Sequence, residues 1–235
     1  MAVHSDAHGV SLYAPQVQSA RPHYSMSCSK SCAAFVLRGV WRQVETGGMS
    51  ALPESAAARI LPNLHVSGWR GPVFRSHGPI YAGDDARGSI RSSGRYHVGH
   101  DMPPELRHRP PWPALYTSLD LGVCTWERIR HLDADPQLAL TTLRGLVISQ
   151  LDIQLNRVVD LRDPSAVHLA YDDLCGPDCA LPRSLAAAAL DLGIEGLLTP
   201  SATGLGLNLV ILVTNLDPAS TISVIGTVAP RLDRD

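Results

Sequence analysis

The amino-acid sequence predicts an α+β fold, and three observations carry that prediction. β-rich or apolar runs recur through the chain, at residues 143–153, 157–161, 194–198, 207–214 and 221–228. Helical stretches are few and are bounded by recognisable start and stop residues. Strands and helices follow no regular βαβ order and no segment repeats, which argues against a doubly wound parallel sheet.

Taken in order, residues 1–48 lack sustained periodicity and are rich in Ser, His and small residues, so they are expected to be a flexible tail preceding a domain at 49–235. That tail reads as an extension upstream of a start at Met49. Ser50 or its neighbour is expected to cap a helix with Pro53 in its first turn. Pro72–Arg75 reads as a short strand entering a loop of glycine and arginine from Gly78 to Gly99. The proline-dense stretch Pro103–Pro113 must be irregular. Ala114–Ser118 is a strand, and Asp120 caps a helix running to about Leu132. Ser184 is expected to cap an alanine-rich helix that stops at Gly193, a residue suited to the left-handed conformation found after helix ends. Apolar strands follow.

A chain of 235 residues sets a prior of one domain with extensions, or two small ones, and 45% hydrophobic residues are enough for an ordinary core. The net charge of −2 supplies no whole-molecule field to hold a polyanion, so nucleic acid is not an expected partner. No segment approaches the ~18–20 consecutive apolar residues of a membrane helix. The run Cys32–Leu37 is too short and too late for an ordinary signal peptide. Five cysteines, an odd number, fit free thiols in a reducing compartment better than a disulfide scaffold. The expectation is a cytoplasmic protein.

Several short motifs stand in a definite order. Phe74-Arg75 closes the first strand, and Ser93-Gly-Arg-Tyr-His97 sits in the glycine-rich loop. Ala114-Leu-Tyr-Thr-Ser118 leads into Cys124-Thr-Trp-Glu127-Arg128 on a helix, and Val158 to Pro164 reads Val-Val-Asp-Leu-Arg-Asp-Pro. Thr199-Pro-Ser201-Ala lies near the end, followed by Gly206-Leu-Asn-Leu-Val210. Together, over about residues 69–215, these motifs resemble the RES-domain family, named for an arginine, a glutamate and a serine. The family loop usually reads Gly-Gly-Arg-Trp-Asn, where this chain has Ser93, Gly94, Arg95, Tyr96 and His97.

The resemblance implies a single ADP-ribosyltransferase-like domain, with mixed β-sheets and surrounding helices about a central NAD cleft. It implies an enzyme that consumes NAD as substrate without a metal. ADP-ribose would pass to phosphate (an NAD phosphorylase), with a protein acceptor or water as alternatives. It further implies a toxin held silent by a cognate antitoxin. The family's arginine falls on Arg75 with a second loop arginine on Arg95, its tyrosine on Tyr116, its glutamate on Glu127 and its serine on Ser201. A catalytically silent nucleotide-binding or interaction module is the rival from another class, and the altered loop is its best support.

The residue types suit the chemistry. Cleaving the nicotinamide bond leaves positive charge on the ribose, and a fixed carboxylate stabilises that charge as it develops. Glu127, four residues after Val123 and one after Trp126, falls at the border of an apolar helix stripe, where it would edge a pocket. The plainer alternative is a helix-surface pair with Arg130 or His131, worth only ~0.2–0.5 kcal/mol. Arg75 and Arg95 have the guanidinium fork that matches pyrophosphate oxygens, or they are solvated loop residues. Tyr96 or Tyr116 would stack on the nicotinamide ring, with core packing the alternative for Tyr116. Ser201 would hold a ribose hydroxyl or a phosphate, or simply shape a turn. No histidine or aspartate nearby marks it as an activated nucleophile.

Two further groupings read as structural. His97, His100, Asp101 and His108 fit no zinc spacing. Cys175 and Cys179 are separated by three residues, not the two of a redox pair, and read as a turn carrying two thiols.

Overall fold

Helix α1 (Pro53–Ile60) begins with the proline expected in a first turn, where a missing N–H has no partner to lose. The structure is a computed structural model that describes residues 53–131 and 145–231. The tail expected at 1–48, the Ser50 cap and the start of the β-run at Leu143 lie outside the described residues.

Six strands follow: β1 (Val66–His77), β2 (Leu115–Ser118), β3 (Val147–Asp160), β4 (Gly196–Pro200), β5 (Leu207–Ile211) and β6 (Thr221–Val228). They hydrogen-bond in the order β1-β2-β5-β4-β3, and β3 pairs back onto β1. Five strands therefore close into a barrel. The sheet is mixed, because β3 and β4 run parallel while β4–β5 and β1–β3 run antiparallel. β3 is long enough to serve two neighbours along one edge, with 158–160 on β4 and 148–154 on β6. β1 and β2 meet at a single pair, Phe74 and Ser118, which makes that seam narrow.

Side chains alternate across these strands. Val73, Leu115, Leu151, Ile153, Leu209 and Ile211 form one buried cluster, which fills the barrel. Their neighbours Tyr116, Leu197 and Val210 face the other way, into a second cluster with α1 and with α4 (Ala180–Asp191). The expectation of an α+β domain holds. Its mixed sheets are one sheet closed on itself, and its interior is packed with aliphatic side chains.

Several boundaries differ from the sequence reading. The runs at 143–153 and 157–161 belong to one strand, and the short strand at 72–75 extends over Val66–His77. Each long strand is the other's ladder partner from end to end, so pairing overrides the local interruption at Gly71-Pro72. Ser184 does not cap α4. The helix begins at Ala180, whose N–H donates to Asp178 Oδ1 at 2.8 Å, and Ser184 Oγ donates back to the Ala180 carbonyl. Gly193 does end that helix, at φ +67°. β6 spans the predicted 221–228.

One buried carboxylate ties the far end of the barrel. Glu195, 1% exposed, accepts from Asn156 N–H at 2.7 Å, Asp217 N–H at 2.8 Å and Ser220 Oγ at 2.9 Å. Its role is to satisfy backbone donors that the bulge of β3 against β1 and the turn before β6 leave without ladder partners.

Candidate active site

The helix carrying Glu127, α2 (Leu121–His131), starts where the sequence predicts, because Asp120 Oδ1 accepts from Gly122 N–H at 2.7 Å and Val123 N–H at 3.1 Å. Nearly two turns later, Glu127 meets the turn between β4 and β5. That turn closes through Ser201 N–H to the Gly206 carbonyl at 2.8 Å, and Gly204 takes φ +71°, a conformation glycine adopts without strain.

A single oxygen of Glu127 is held three times. Oε1 accepts from Ser201 Oγ at 2.5 Å, from Asn208 Nδ2 at 2.8 Å and from Ala202 N–H at 3.1 Å. No described residue hydrogen-bonds Oε2. Ser201 is fully buried and its oxygen also accepts from Thr203 N–H at 3.1 Å. Asn208 stands opposite Ser118 on β2 and is oriented by it, since Ser118 Oγ donates to Asn208 Oδ1 at 2.8 Å. The carboxylate is thus fixed through one oxygen and presents the other. Among the described residues it forms no ion pair with Arg130.

Two further groups approach from the short helix α3 (Tyr171–Cys175). The Tyr171 hydroxyl donates to the Ser201 carbonyl at 2.5 Å, and the buried Cys175 thiol donates to the Pro200 carbonyl at 3.5 Å. Burial pushes the Tyr171 hydroxyl up to about 12, so it stays a neutral donor. Burial also raises the Cys175 thiol, against a hydrogen bond with Tyr171 and the charge of Arg95, with Glu127 adding to the rise.

The arginines are engaged with backbone. Arg75 donates to the carbonyls of Ala82 at 3.2 Å, Gly83 at 2.7 Å and Asp85 at 2.7 Å, and so clasps the loop after β1. Burial lowers its pKa, partly offset by Asp85 and Asp84. Arg95 uses Nη1 alone, toward Leu174 at 2.9 Å and Gly176 at 2.7 Å. Its Nε and Nη2 have no hydrogen bond among the described residues, which leaves that edge of the guanidinium without a protein acceptor.

The tyrosines read as stacking residues sit deeper. Tyr96 is 2% exposed and belongs to the helix-packed core. Tyr116 is half-buried on β2, and its hydroxyl accepts from Tyr96 N–H at 2.7 Å and bonds His97 Nδ1 at 2.9 Å. His97 Nε2 pairs with the Ser92 carbonyl at 2.7 Å, which makes Nε2 the donor and Nδ1 the acceptor from Tyr116. A Cβ on Gly94 would lie 2.2 Å from the His97 ring, so glycine is required for this loop to fold back on itself. These bonds tie down the loop that carries Arg95.

Among the described residues no group of three His, Cys, Asp or Glu could hold a metal ion. Asp101 instead accepts from Ser93 N–H and Oγ, at 2.5 and 2.7 Å. No described helix is long and apolar enough to cross a membrane. A hollow of about 440 Å³ lies beside the clasped loop, lined by residues that include Asp84, Arg87 and Ile222, and it contains none of the Glu127 cluster. The hydrogen-bonded convergence on Glu127 is the better marker of chemistry. Asn208, Thr203 and Tyr171 belong to that cluster and carried no assignment in the sequence. Asn208 lies within the motif Gly206–Val210, whereas no motif of the sequence includes Tyr171.

A closed mixed barrel with a carboxylate fixed by a serine at the barrel's edge defines an α+β domain with an acid-centred site. The RES domain family model matches residues 72–234, and the chain belongs to that family. The fold is similar to a chain in the crystal structure of the M. tuberculosis MbcT–MbcA toxin–antitoxin complex, at 21% identity and a TM-score of 0.60, over 75% of this chain and 92% of that one. A search of curated proteins finds no match.

Proposed function

We propose that this protein cleaves the nicotinamide–ribose bond of NAD and transfers ADP-ribose to inorganic phosphate, as the cytoplasmic toxin of a toxin–antitoxin pair. Membership of the RES family and the likeness to a chain of a toxin–antitoxin complex support this reading. The observation that carries it is Glu127, held through Oε1 with Oε2 left for substrate.

In this reading the ribose lies against Oε2. The bond from the anomeric carbon to the pyridinium nitrogen breaks with its electron pair going to nitrogen, which leaves neutral nicotinamide. The carboxylate stabilises the positive sugar as it forms. A phosphate oxygen then supplies the pair for the new carbon–oxygen bond, and a phosphate proton passes to solvent. The free edge of Arg95 holds the diphosphate, charge-assisted and geometrically matched. Arg75 acts through the loop it clasps.

The test is to incubate purified protein with NAD, with and without phosphate, and to resolve the products. Nicotinamide release that rises with phosphate, together with ADP-ribose 1″-phosphate, is the expected result. Labelled protein would assign a protein acceptor, free ADP-ribose would assign water, and NAD binding with no nicotinamide released would leave a silent binding module.

A further inference from the structure

The sequence offers Tyr96 and Tyr116 as partners for a planar ring, but both pack against the helix-side core. Tyr96 is 2% exposed, and Tyr116 directs its hydroxyl into the bonds that hold the Arg95 loop. Of the Tyr, Trp and Phe side chains described, Tyr171 alone stands exposed, at 42%.

Its position is specific. The Tyr171 hydroxyl binds the carbonyl of Ser201, whose own hydroxyl binds Glu127, so one residue holds both the ring and the carboxylate. Glu127 is also among the charges that act on the Tyr171 hydroxyl. The hydroxyl lies against Gly204, where an added Cβ would sit 3.9 Å away. The next residue, Leu205, is 44% exposed. An aromatic face pinned at its polar end, with an exposed aliphatic residue on the adjoining turn, forms an open apolar rim beside a carboxylate. Isolated exposed apolar residues are ordinary, but these two flank the turn that anchors Glu127.

We propose that Tyr171 is the stacking residue for the nicotinamide ring. The inference rests on the NAD reading of the same site. The aromatic group bonded to the ribose that faces Glu127 is nicotinamide, whereas adenine lies beyond the diphosphate. An aromatic fixed through Ser201 therefore meets the nicotinamide end. The electron-poor pyridinium favours the negative face of a tyrosine ring, an attraction that weakens once nicotinamide leaves as a neutral molecule.

The test compares NAD with ADP-ribose, which lacks nicotinamide, by calorimetry. The background is Glu127→Gln, so that substrate is not consumed during titration. Base–aromatic stacking of about 1–3 kcal/mol converts to roughly fivefold to 150-fold in affinity, so about a tenfold or greater loss is expected for NAD in Tyr171→Ala. ADP-ribose affinity should stay unchanged, and Tyr171→Phe should bind NAD within a few-fold of the background. Unchanged NAD affinity in Tyr171→Ala overturns the proposal. Equal losses for NAD and ADP-ribose also overturn it, since they would assign Tyr171 to adenine or to the shape of the turn. If the background and wild-type proteins both fail to bind NAD, the NAD reading itself falls and takes this inference with it.

Discussion

Ser201 Oγ donates to Glu127 Oε1 at 2.5 Å across 74 positions of sequence, and that bond joins helix α2 to the turn leaving β4. With Asn208 Nδ2 on the same oxygen at 2.8 Å, the carboxylate has one anchored and one presented oxygen. Glu127→Gln keeps an acceptor for Ser201 but removes the negative charge. It should abolish most nicotinamide release while leaving NAD affinity within a few-fold, because charge stabilisation acts in the transition state and not on bound substrate. Full turnover in that variant would remove Glu127 from the chemistry.

Asn208 orients that carboxylate and is itself oriented by Ser118. Asn208→Ala should lower kcat by about tenfold to a hundredfold with KM little changed, since small misplacement of a catalytic group has effects on that scale. Ser118→Ala should give a weaker version of the same split. Steady-state nicotinamide release reads both, and a change confined to KM would assign Asn208 to binding.

Glu195 is a second acid, fully enclosed, and its duty is structural. Glu195→Ala strands the N–H groups of Asn156 and Asp217, at about 1–3 kcal/mol per stranded donor. Thermal unfolding should shift down by about 5–15 °C, on a scale of ~2–4 °C per kcal/mol for a domain of this size. Ser220→Ala should show a small fraction of that shift. An unaltered melting temperature for Glu195→Ala would contradict the staple.

Burial lowers the pKa of His97 from its ordinary 6.5, the largest influence on it, against the bond to Ser92. The unfolded chain then binds a proton more readily than the native state between the depressed pKa and 6.5. Stability from this residue is complete above about 6.5 and is lost progressively as pH falls below it. His97→Asn, the residue usual in the family loop, should flatten the fall in melting temperature between pH 7.5 and roughly 5, above the carboxylate range. An identical slope in both proteins would show that another group controls it.

Arg75 joins three carbonyls of the loop after β1 through both terminal nitrogens. A lysine cannot span them, so Arg75→Lys should behave much like Arg75→Ala. Limited proteolysis should then cut between residues 78 and 87, where the parent resists. If cleavage is unchanged and only NAD affinity falls, Arg75 contacts the diphosphate directly.

Elements with local causes were legible in the chain. The Asp120 cap, the Gly193 stop, β2 and β6 follow from capping, left-handed glycine and β-forming runs, each settled within a few residues. The order of Arg75, Glu127 and Ser201 likewise identified the family before any contact was known. Two segments read as interrupted or short are single long strands, since each takes its hydrogen bonds from a partner some 80 positions away.

The sequence by itself determined the types and order of the chemical groups, because motif residues and caps act through near neighbours along the chain. Only the tertiary structure decided which oxygen of Glu127 is free, which guanidinium edges are engaged and which aromatic faces outward. Those properties depend on the barrel's closure bringing β4, β5, α2 and α3 together. Burial and hydrogen-bond saturation are set by neighbours in space, and no local pattern encodes them.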